Sequence, residues 1–290
     1  MQRSKTFSIS RNPRRRQTID VTVATMNSSS TLEKCLQSIL AHVPVRELIV
    51  VDGGSADGTI EIARKYGARV LYEHGLLGKV RYAQACACKT TWIAYVDSDI
   101  YLYKDWWAKV SKCVDDQTVG MVLGFADLEI GELPQYDTFL KYKAAKFGTE
   151  ALSNTLIRRK MVLECEGELQ TVHVGEDSLI AKHLLKSGYR IVTIPQKLCF
   201  HDKPIIESHP PAYYRAGQSI RHSNGIIGIY RMANSLRTTL RDWWSFSRDT
   251  QTFSIRLLGY LGKLWLWMVI GYLSDPTFLK GKEVRGIRRG

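Results

Sequence analysis

Residues 47–59 read ELIVVDGGSADGT, an apolar run that changes abruptly into glycine, aspartate and serine. The apolar part, which ends at Val51, is short and rich in β-branched residues, and this predicts a buried strand. The DGGSADG stretch after it has the composition of a tight turn. Residues 59–66 then have the pattern of a helix, which Gly67 ends. The stretch therefore predicts a strand, a turn and a helix in direct succession.

The same alternation continues on both sides of this stretch. Further strands are predicted at 19–24, 68–72 and 91–96, and further helices at 32–40 and 79–89. Strands and helices that alternate at this spacing indicate βαβ units, and hence an α/β fold with a mostly parallel sheet. In such sheets ligands bind beyond the carboxyl ends of the strands.

Polar residues stand at those predicted strand ends. Asn27, Asp52, Asp97 and Asp99 each follow an apolar strand, so we expect one polar site there. Asp97 and Asp99 lie two residues apart on a predicted turn and cannot both point into a core. Oxygen ligands on such a turn suit Mg²⁺ or Mn²⁺ carrying a diphosphate. The alternative interpretation is one capping and one solvated aspartate.

The composition is that of an ordinary globular protein. With 290 residues, 44% hydrophobic and 24% charged, the chain is long enough for one large domain or two small ones, and wholesale disorder is excluded. The six cysteines are too few for a disulfide scaffold and form no CxxC pair, which favours a reduced, cytosolic fold. Residues 1–16 have no apolar stretch typical of a secretory signal.

The net charge of +13 is concentrated in the two tails. Residues 1–16 carry six basic residues and no acid, and residues 280–290 carry five basic residues and one acid, so the tails supply +10. The body is nearly balanced, which argues against a basic nucleic-acid binder built on an α/β scaffold. No nucleic-acid partner is expected, and the tails favour an anionic membrane surface.

Eight ordered stretches resemble the family 2 inverting glycosyltransferases, whose fold is GT-A. Together they cover about residues 18–235. They are Val23–Asn27, Val50–Thr59, Gly78–Gln84, Tyr95–Asp99, Asn154–Arg159, Gly175–Tyr189, Cys199–Asp202 and Tyr213–Arg221. Two positions depart from the family pattern: Gly53 stands where a second Asp is common, and Tyr82 replaces the usual Asn.

The resemblance implies a hexosyltransferase type of enzyme. It would move a sugar, with inversion, from a UDP- or GDP-linked donor to a lipid-linked or polysaccharide acceptor, and it would depend on Mg²⁺ or Mn²⁺. The implied fold is a Rossmann-like, mostly parallel sheet flanked by helices. The implied donor-binding residues are Thr25, Asn27, Asp52, Arg81 and Asp97.

More than one role is open for several of the predicted site residues. Asp52 either accepts from a base N–H or orders the glycine turn. Arg81 reaches phosphate or the base loop, or else forms an ion pair with Asp52 or Asp97. Asp99 is the expected direct metal ligand, and Asp97 contacts the ribose, or the metal through water. His201 either completes the metal shell or binds the diphosphate, or else it is an ordinary, partly exposed histidine.

The second half of the chain supplies the predicted base and the acceptor side. Asp177 is the predicted general base, with Glu176 beside it as the other candidate. Both also suit the positive end of the helix that they open. If the acceptor is a lipid phosphate, no base is needed and Asp177 orients the acceptor instead. Acceptor phosphate is then expected to bind to arginines, namely Arg158, Arg159, Arg215 and Arg221.

Residues 253–273 are mostly apolar, but Arg256 and Lys263 interrupt them. At helical spacing these charges share one face, and Leu257, Leu261 and Leu264 belong to the apolar face. This pattern predicts an amphipathic helix in the membrane interface, with a helix packed on the catalytic domain or a single tilted span as the alternatives. We expect attachment to the cytoplasmic side of the membrane.

The sequence thus divides into four predicted regions. They are a basic tail at 1–17, a GT-A catalytic domain at 18–205, a membrane-associated helical region at 206–279 and a basic tail at 280–290.

A sugar nucleotidyltransferase is the competing enzyme class. It would need a basic phosphate loop after the first strand, and residues 25–31 contain no basic residue.

Overall fold

The computed structural model describes residues 18–128, 134–147, 152–172, 175–202, 213–218, 220–221 and 228–274. Both predicted basic tails lie outside these ranges.

The centre of the molecule is an eight-stranded mixed sheet in the order β3-β2-β1-β4-β7-β6-β8-β5. Of its seven neighbouring strand pairs four are parallel, which confirms the predicted α/β class. The strands are β1 Ile19–Thr25, β2 Val45–Asp52, β3 Arg69–Tyr72, β4 Trp92–Asp97, β5 Ile100–Leu102, β6 Val119–Leu128, β7 Asn154–Arg158 and β8 Arg190–His201.

Helices cover both faces of this sheet. The described helices are α1 Leu32–His42, α2 Thr59–Lys65, α3 Leu77–Ala87, α4 Trp106–Val110, α5 Pro134–Phe147, α6 Arg159–Leu163, α7 Glu166–Leu169, α8 Glu176–Lys186, α9 Gly228–Thr250 and α10 Ile255–Ser274. Alternate residues of β4 enter opposite cores: Ala94 packs with α1 and α4, whereas Ile93 and Tyr95 pack with α3 and α8. The β4 strand is therefore apolar on both sides, as a central strand must be.

The strand directions define two ends of the sheet. Six strands run the same way, namely β1, β2, β3, β4, β6 and β8, and we call the end where they finish the carboxyl end. The register aligns Thr25 with Asp52 and Ala24 with Asp97 there. Strand β7 runs in the opposite direction, so Arg158 pairs with Trp92 at the other, amino end.

A third apolar core joins α5, α9 and α10. Its buried members are Tyr136, Phe139, Trp243, Phe246, Leu257, Tyr260, Leu261 and Leu264. The apolar face of residues 253–273 that the sequence assigns to the membrane interface is therefore packed inside the protein. Among the described helices, α10 is the one whose length and composition would also suit a membrane span.

The short helical segment 213–218 crosses α10 with backbone against backbone. A Cβ atom on Gly217 would lie 1.9 Å from the carbonyl oxygen of Met268, and one on Gly271 would lie 1.9 Å from that of Tyr214. No side chain fits at either position, because real contacts to a Cβ are far longer. The two glycines thus fix how closely this segment approaches α10.

Candidate functional site

The turn after β2 is organised around the buried carboxylate of Asp52. Its Oδ1 accepts the backbone N–H groups of Gly54 and Ser55 at 2.8 and 2.7 Å. Its Oδ2 accepts the hydroxyls of Thr25 and Ser55 at 2.8 and 2.5 Å. Burial pushes the pKa of Asp52 upward, but the hydrogen bonds from Ser55, Thr25 and Gly54 hold it below its usual range. Both oxygens are therefore engaged in ordering the loop.

We expect Asp52→Asn to lower the free energy of unfolding by about 3 kcal/mol at pH 7, because an amide N–H₂ would face groups that already donate. The depressed pKa fixes the sign of the pH dependence. The stability that Asp52 contributes is complete above its unfolded pKa and is lost as the pH falls through the folded pKa. Urea unfolding of both proteins at several pH values should show a gap that is constant near neutrality and shrinks below about pH 4. A gap that widens on acidification would contradict this assignment.

Asn27 shapes the same loop from the β1 side. It has a left-handed backbone, with φ of 50°, and its Oδ1 accepts the N–H of Ala56 at 2.9 Å. Its own N–H donates to the Ser55 hydroxyl at 2.8 Å. Thr25 and Asn27 thus hold the loop after β1 against the loop after β2, at the carboxyl end of the sheet.

Arg81 on α3 is buried between two carboxylates. Its Nη2 lies 2.8 Å from Oδ1 of Asp97, and its Nε lies 3.6 Å from Oε1 of Glu176. Tyr95 supports the pair, since its hydroxyl donates to the Arg81 carbonyl at 2.7 Å and its ring lies 5.6 Å from the guanidinium. Asp52 and Asp97 are the two ion-pair partners predicted for Arg81, and the structure shows the pair with Asp97.

Glu176 and Asp177 open α8 directly after Gly175, which has φ of 92°. Glu176 is buried, and this burial raises its pKa above the usual range in spite of the opposing charge of Arg81. Asp177 is half-buried, and its Oδ1 accepts the N–H of Ser178 at 2.7 Å. The two neighbouring carboxylates therefore differ: Glu176 faces the buried arginine, and Asp177 retains contact with solvent.

Asp99 and His201 meet because β5 pairs antiparallel with the end of β8. The register sets Ile100 opposite His201, and the N–H of Asp202 donates to the Asp99 carbonyl at 2.8 Å. Nε2 of His201 lies 3.3 Å from Oδ2 of Asp99, and both side chains are about a quarter exposed. In the part of the chain that the structure describes, no three His, Cys, Asp or Glu side chains are grouped closely enough to hold a metal ion by themselves.

The four arginines predicted for the acceptor side do not come together. Arg158 is buried at the amino end of the sheet, where its Nε donates to the Val119 carbonyl at 2.7 Å and its guanidinium lies 4.7 Å from the Trp92 ring. Arg159 follows it and donates to the Ala85 carbonyl at 2.8 Å. Asp97 lies five residues beyond Trp92 on β4, which puts Arg158 about 16 Å away from it. Both arginines hold secondary structure together at the end of the sheet away from the acidic residues.

Of the other two arginines, Arg215 belongs to the segment 213–218 that crosses α10, and Arg221 lies three residues after that segment. Arg215 is exposed, and Arg221 is buried with its Nη1 3.2 Å from the Tyr272 hydroxyl. Its guanidinium also lies 5.3 Å from the Tyr272 ring. Arg221 therefore contributes to the packing of residues 220–221 on α10.

Tyr101 and Asp202 also lie beside the site, and neither is among the site residues predicted from the sequence. The Tyr101 hydroxyl donates to a carboxylate oxygen of Asp202, next to the pair formed by Asp99 and His201. The available signal was the period of two residues along β5, which places Tyr101 on the same side of the strand as Asp99. A second unpredicted contact joins the hydroxyls of Ser28 and Ser98 at 2.9 Å, and it ties the loop after β1 to the loop between Asp97 and Asp99.

Two solved glycosyltransferase structures have a similar fold. A mannosyltransferase from Pyrobaculum calidifontis, solved with GDP-Man and Mn²⁺, is similar with a TM-score of 0.58 and 17% identity, over 90% of this chain and 88% of that one. Glucosyl-3-phosphoglycerate synthase from Mycobacterium tuberculosis, solved with Mn²⁺, UDP and phosphoglyceric acid, has a TM-score of 0.52 and 19% identity, over 72% of this chain and 79% of that one. The mixed sheet with flanking helices is thus the GT-A fold.

The family follows from the sequence model described as Glycosyl transferase family 2, which matches residues 20–167, just over half of the chain. The chain belongs to glycosyl transferase family 2 and is a glycosyltransferase. A putative glycosyltransferase, EpsH of Bacillus subtilis, is 23% identical over 71% of this chain and 67% of its own length. The predicted family, fold and enzyme class are confirmed.

Proposed function

We propose that this enzyme transfers a hexose, with inversion, from a UDP- or GDP-linked donor to a lipid-linked or polysaccharide acceptor in a reaction that needs Mn²⁺ or Mg²⁺. The observation that carries the proposal is that two clusters of side chains, each containing carboxylates, lie at the carboxyl end of the sheet. Asp99 lies beside His201, and Asp97 is joined through Arg81 to Glu176, the neighbour of Asp177. This arrangement supports a donor diphosphate at Asp99 and His201 and an acceptor hydroxyl at Asp177.

The chemistry of Asp99 and His201 fits a divalent cation. A carboxylate oxygen and an imidazole nitrogen are ligands that Mn²⁺ accepts, and both side chains are partly exposed where a diphosphate would lie. With two protein ligands, the remaining coordination positions of the ion would be filled by the donor phosphates and by water. This is the usual coordination of Mg²⁺ when it binds a phosphate substrate. When bound, the ion neutralises charge on the leaving diphosphate. Asp97, with one oxygen at Arg81, is placed to contact the ribose or a ligand water.

Asp177 is the better placed of the two α8 carboxylates to take a proton from an acceptor hydroxyl. It is partly exposed, whereas Glu176 is buried against Arg81. A general base must reach the hydroxyl that it deprotonates, and a partly exposed carboxylate at a helix start is more accessible to an acceptor than a buried one. Glu176 then acts as a positioning residue, because it holds Arg81 and thereby the start of α8 in place relative to Asp97.

We further propose that the enzyme works at the cytoplasmic side of a membrane, as a peripheral or monotopic protein. The support is the apolar, tryptophan-containing helix α10, together with the basic residues in the sequence beyond it. The burial of Leu257, Leu261 and Leu264 favours attachment to the surface over a crossing. An acceptor linked to a lipid would be delivered at such a surface.

A donor panel tests the proposal. We expect the purified 290-residue chain with Mn²⁺ to release nucleoside diphosphate from a UDP- or GDP-hexose but not from a dTDP-hexose, and excess EDTA to abolish that release. With an α-linked donor the transferred sugar should be β-linked, which one-dimensional NMR of the product reports. Failure to consume any donor, a product with retained anomeric configuration or activity unaffected by EDTA would each overturn the corresponding part of the proposal.

A further inference from the structure

The α9–α10 hairpin exposes large apolar side chains at and near its turn, on α9, on the turn itself and at the start of α10. Trp244 is 60% exposed, Phe253 68% and Ile255 73%. The ring of the buried Trp243 joins the cluster, since it lies 5.1 Å from the Phe253 ring and 6.4 Å from the Trp244 ring. Large apolar side chains that are exposed singly are ordinary, but a contiguous group marks an interaction surface.

Two arginines flank this cluster. Arg248 follows Trp244 by one helical turn and so lies on the same face of α9, with a side chain that is 67% exposed. Arg256 is exposed next to Ile255. We call Trp244, Arg248, Phe253, Ile255 and Arg256 the hairpin tip.

The hairpin that carries this tip is cationic as a whole. Residues 228–274 contain six basic side chains and two acids, a net charge of +4. Both acids are paired: Asp242 is buried 3.1 Å from Nζ of Lys143 and also contacts Arg241, and Asp249, about a third exposed, accepts the Tyr142 hydroxyl at 2.7 Å and pairs with Arg248 at 3.0 Å. Two acids cannot balance six basic side chains, so the hairpin as a whole remains positive.

We propose that the hairpin tip is the surface by which the enzyme docks on a bilayer containing anionic lipid. Aromatic rings next to arginines match the layered chemistry of a membrane interface, where rings lie at the headgroup level and guanidinium groups pair with phosphate. The inference rests on the proposed function insofar as that function places the enzyme at a membrane. The inference assigns membrane contact to the hairpin tip and not to the apolar face of α10. That face, which the sequence pattern assigns to lipid, is packed against α5 and α9.

The positive charge of the hairpin tip favours an anionic bilayer over a second copy of the chain as its binding partner. A symmetric dimer brings the same patch of both subunits together. Here such a contact would bring together two patches that each carry Arg248 and Arg256, and the repulsion between two net positive surfaces is destabilising. An anionic surface has the complementary charge.

Vesicle sedimentation with the full chain tests the inference. The probes are phosphatidylcholine vesicles with and without phosphatidylglycerol, and the variants are Trp244→Ser with Phe253→Ser, and Arg248→Gln with Arg256→Gln. The matched control is Leu266→Ser with Leu273→Ser on the outer face of α10, where the two leucines are 53% and 55% exposed. Donor hydrolysis and the sedimentation coefficient are measured for every protein.

We expect the wild type to bind the anionic vesicles preferentially. Loss of both aromatic side chains should weaken this binding about a hundredfold, and loss of both arginines should weaken it about fivefold per residue at low salt. The control pair should change it less than twofold, and donor hydrolysis should be unchanged in all variants.

The outcomes separate the two proposals. If the wild type hydrolyses donor but binds no vesicle, or if the control pair is the one that loses binding, the docking surface is overturned and glycosyl transfer stands. Tip-dependent dimerisation without vesicle binding would likewise overturn it in favour of a second copy. Tip-dependent vesicle binding by a protein that consumes no donor would support the docking surface and reject the proposed function.

Discussion

Asp99→Ala is expected to lower kcat for sugar transfer on the order of a thousandfold. A divalent ion at a leaving diphosphate contributes several kcal/mol to transition-state stabilisation, and each 1.4 kcal/mol is a factor of about ten. Asp99 is the carboxylate that meets His201, so its removal takes away half of the proposed protein ligand set. The fold should tolerate the change, because the side chain is partly exposed and the backbone bond from Asp202 remains.

Direct binding of Mn²⁺ separates loss of the ion from general damage. Titration with UDP or GDP present, followed by electron paramagnetic resonance, should show weakened Mn²⁺ binding in Asp99→Ala. Asp115→Ala is the matched control, since Asp115 is an exposed aspartate near the amino end of the sheet. It should leave Tm, Mn²⁺ binding and kcat unchanged. Wild-type activity and Mn²⁺ affinity in Asp99→Ala would show that Asp99 is no ligand.

Asp177→Asn is expected to reduce kcat by about two to four orders of magnitude with little effect on donor KM, because a positioned general base contributes that much. Glu176→Gln keeps the size of its side chain but removes the negative charge near Arg81, so it should change Tm and donor KM more than kcat. Steady-state kinetics of the two variants, with thermal unfolding of both, give this comparison. The opposite pattern, with kcat lost in Glu176→Gln and retained in Asp177→Asn, would exchange the two roles.

The size of the Asp177 effect also reports on the acceptor. A hydroxyl acceptor needs a base, whereas an acceptor phosphate is already an anion and needs none. A large loss in Asp177→Asn that phosphate-terminated acceptors do not share would therefore identify the usual acceptor as a hydroxyl.

The parts of the structure that depend on local pattern could be predicted from the sequence. The strands and helices from residue 19 to 97 follow from hydrophobic periodicity and turn residues, and their parallel arrangement places Asp52 and Asp97 at one end. Periodicity does not say what covers an apolar stripe. The apolar face around Leu261 packs on α5 and α9, and nothing local distinguishes that contact from lipid.

Contacts between distant residues could not be predicted in the same way. The sequence offers Arg81 either Asp52 or Asp97, and only the folded chain adds Glu176, which is 95 residues further on. Arg158 was expected near an acceptor because a motif places it there. The antiparallel direction of β7 instead carries it to the amino end of the sheet, and that direction is a property of the whole topology.

The buried arginine also has an evolutionary consequence. Asp97 and Glu176 share a single cation, so a change at either carboxylate alters the charge balance experienced by the other. Substitutions in one buried network are non-additive. Positions 81, 97 and 176 are thus expected to show strong epistasis and to be inherited as one unit, so that the donor side and the acceptor side of the enzyme do not diverge independently.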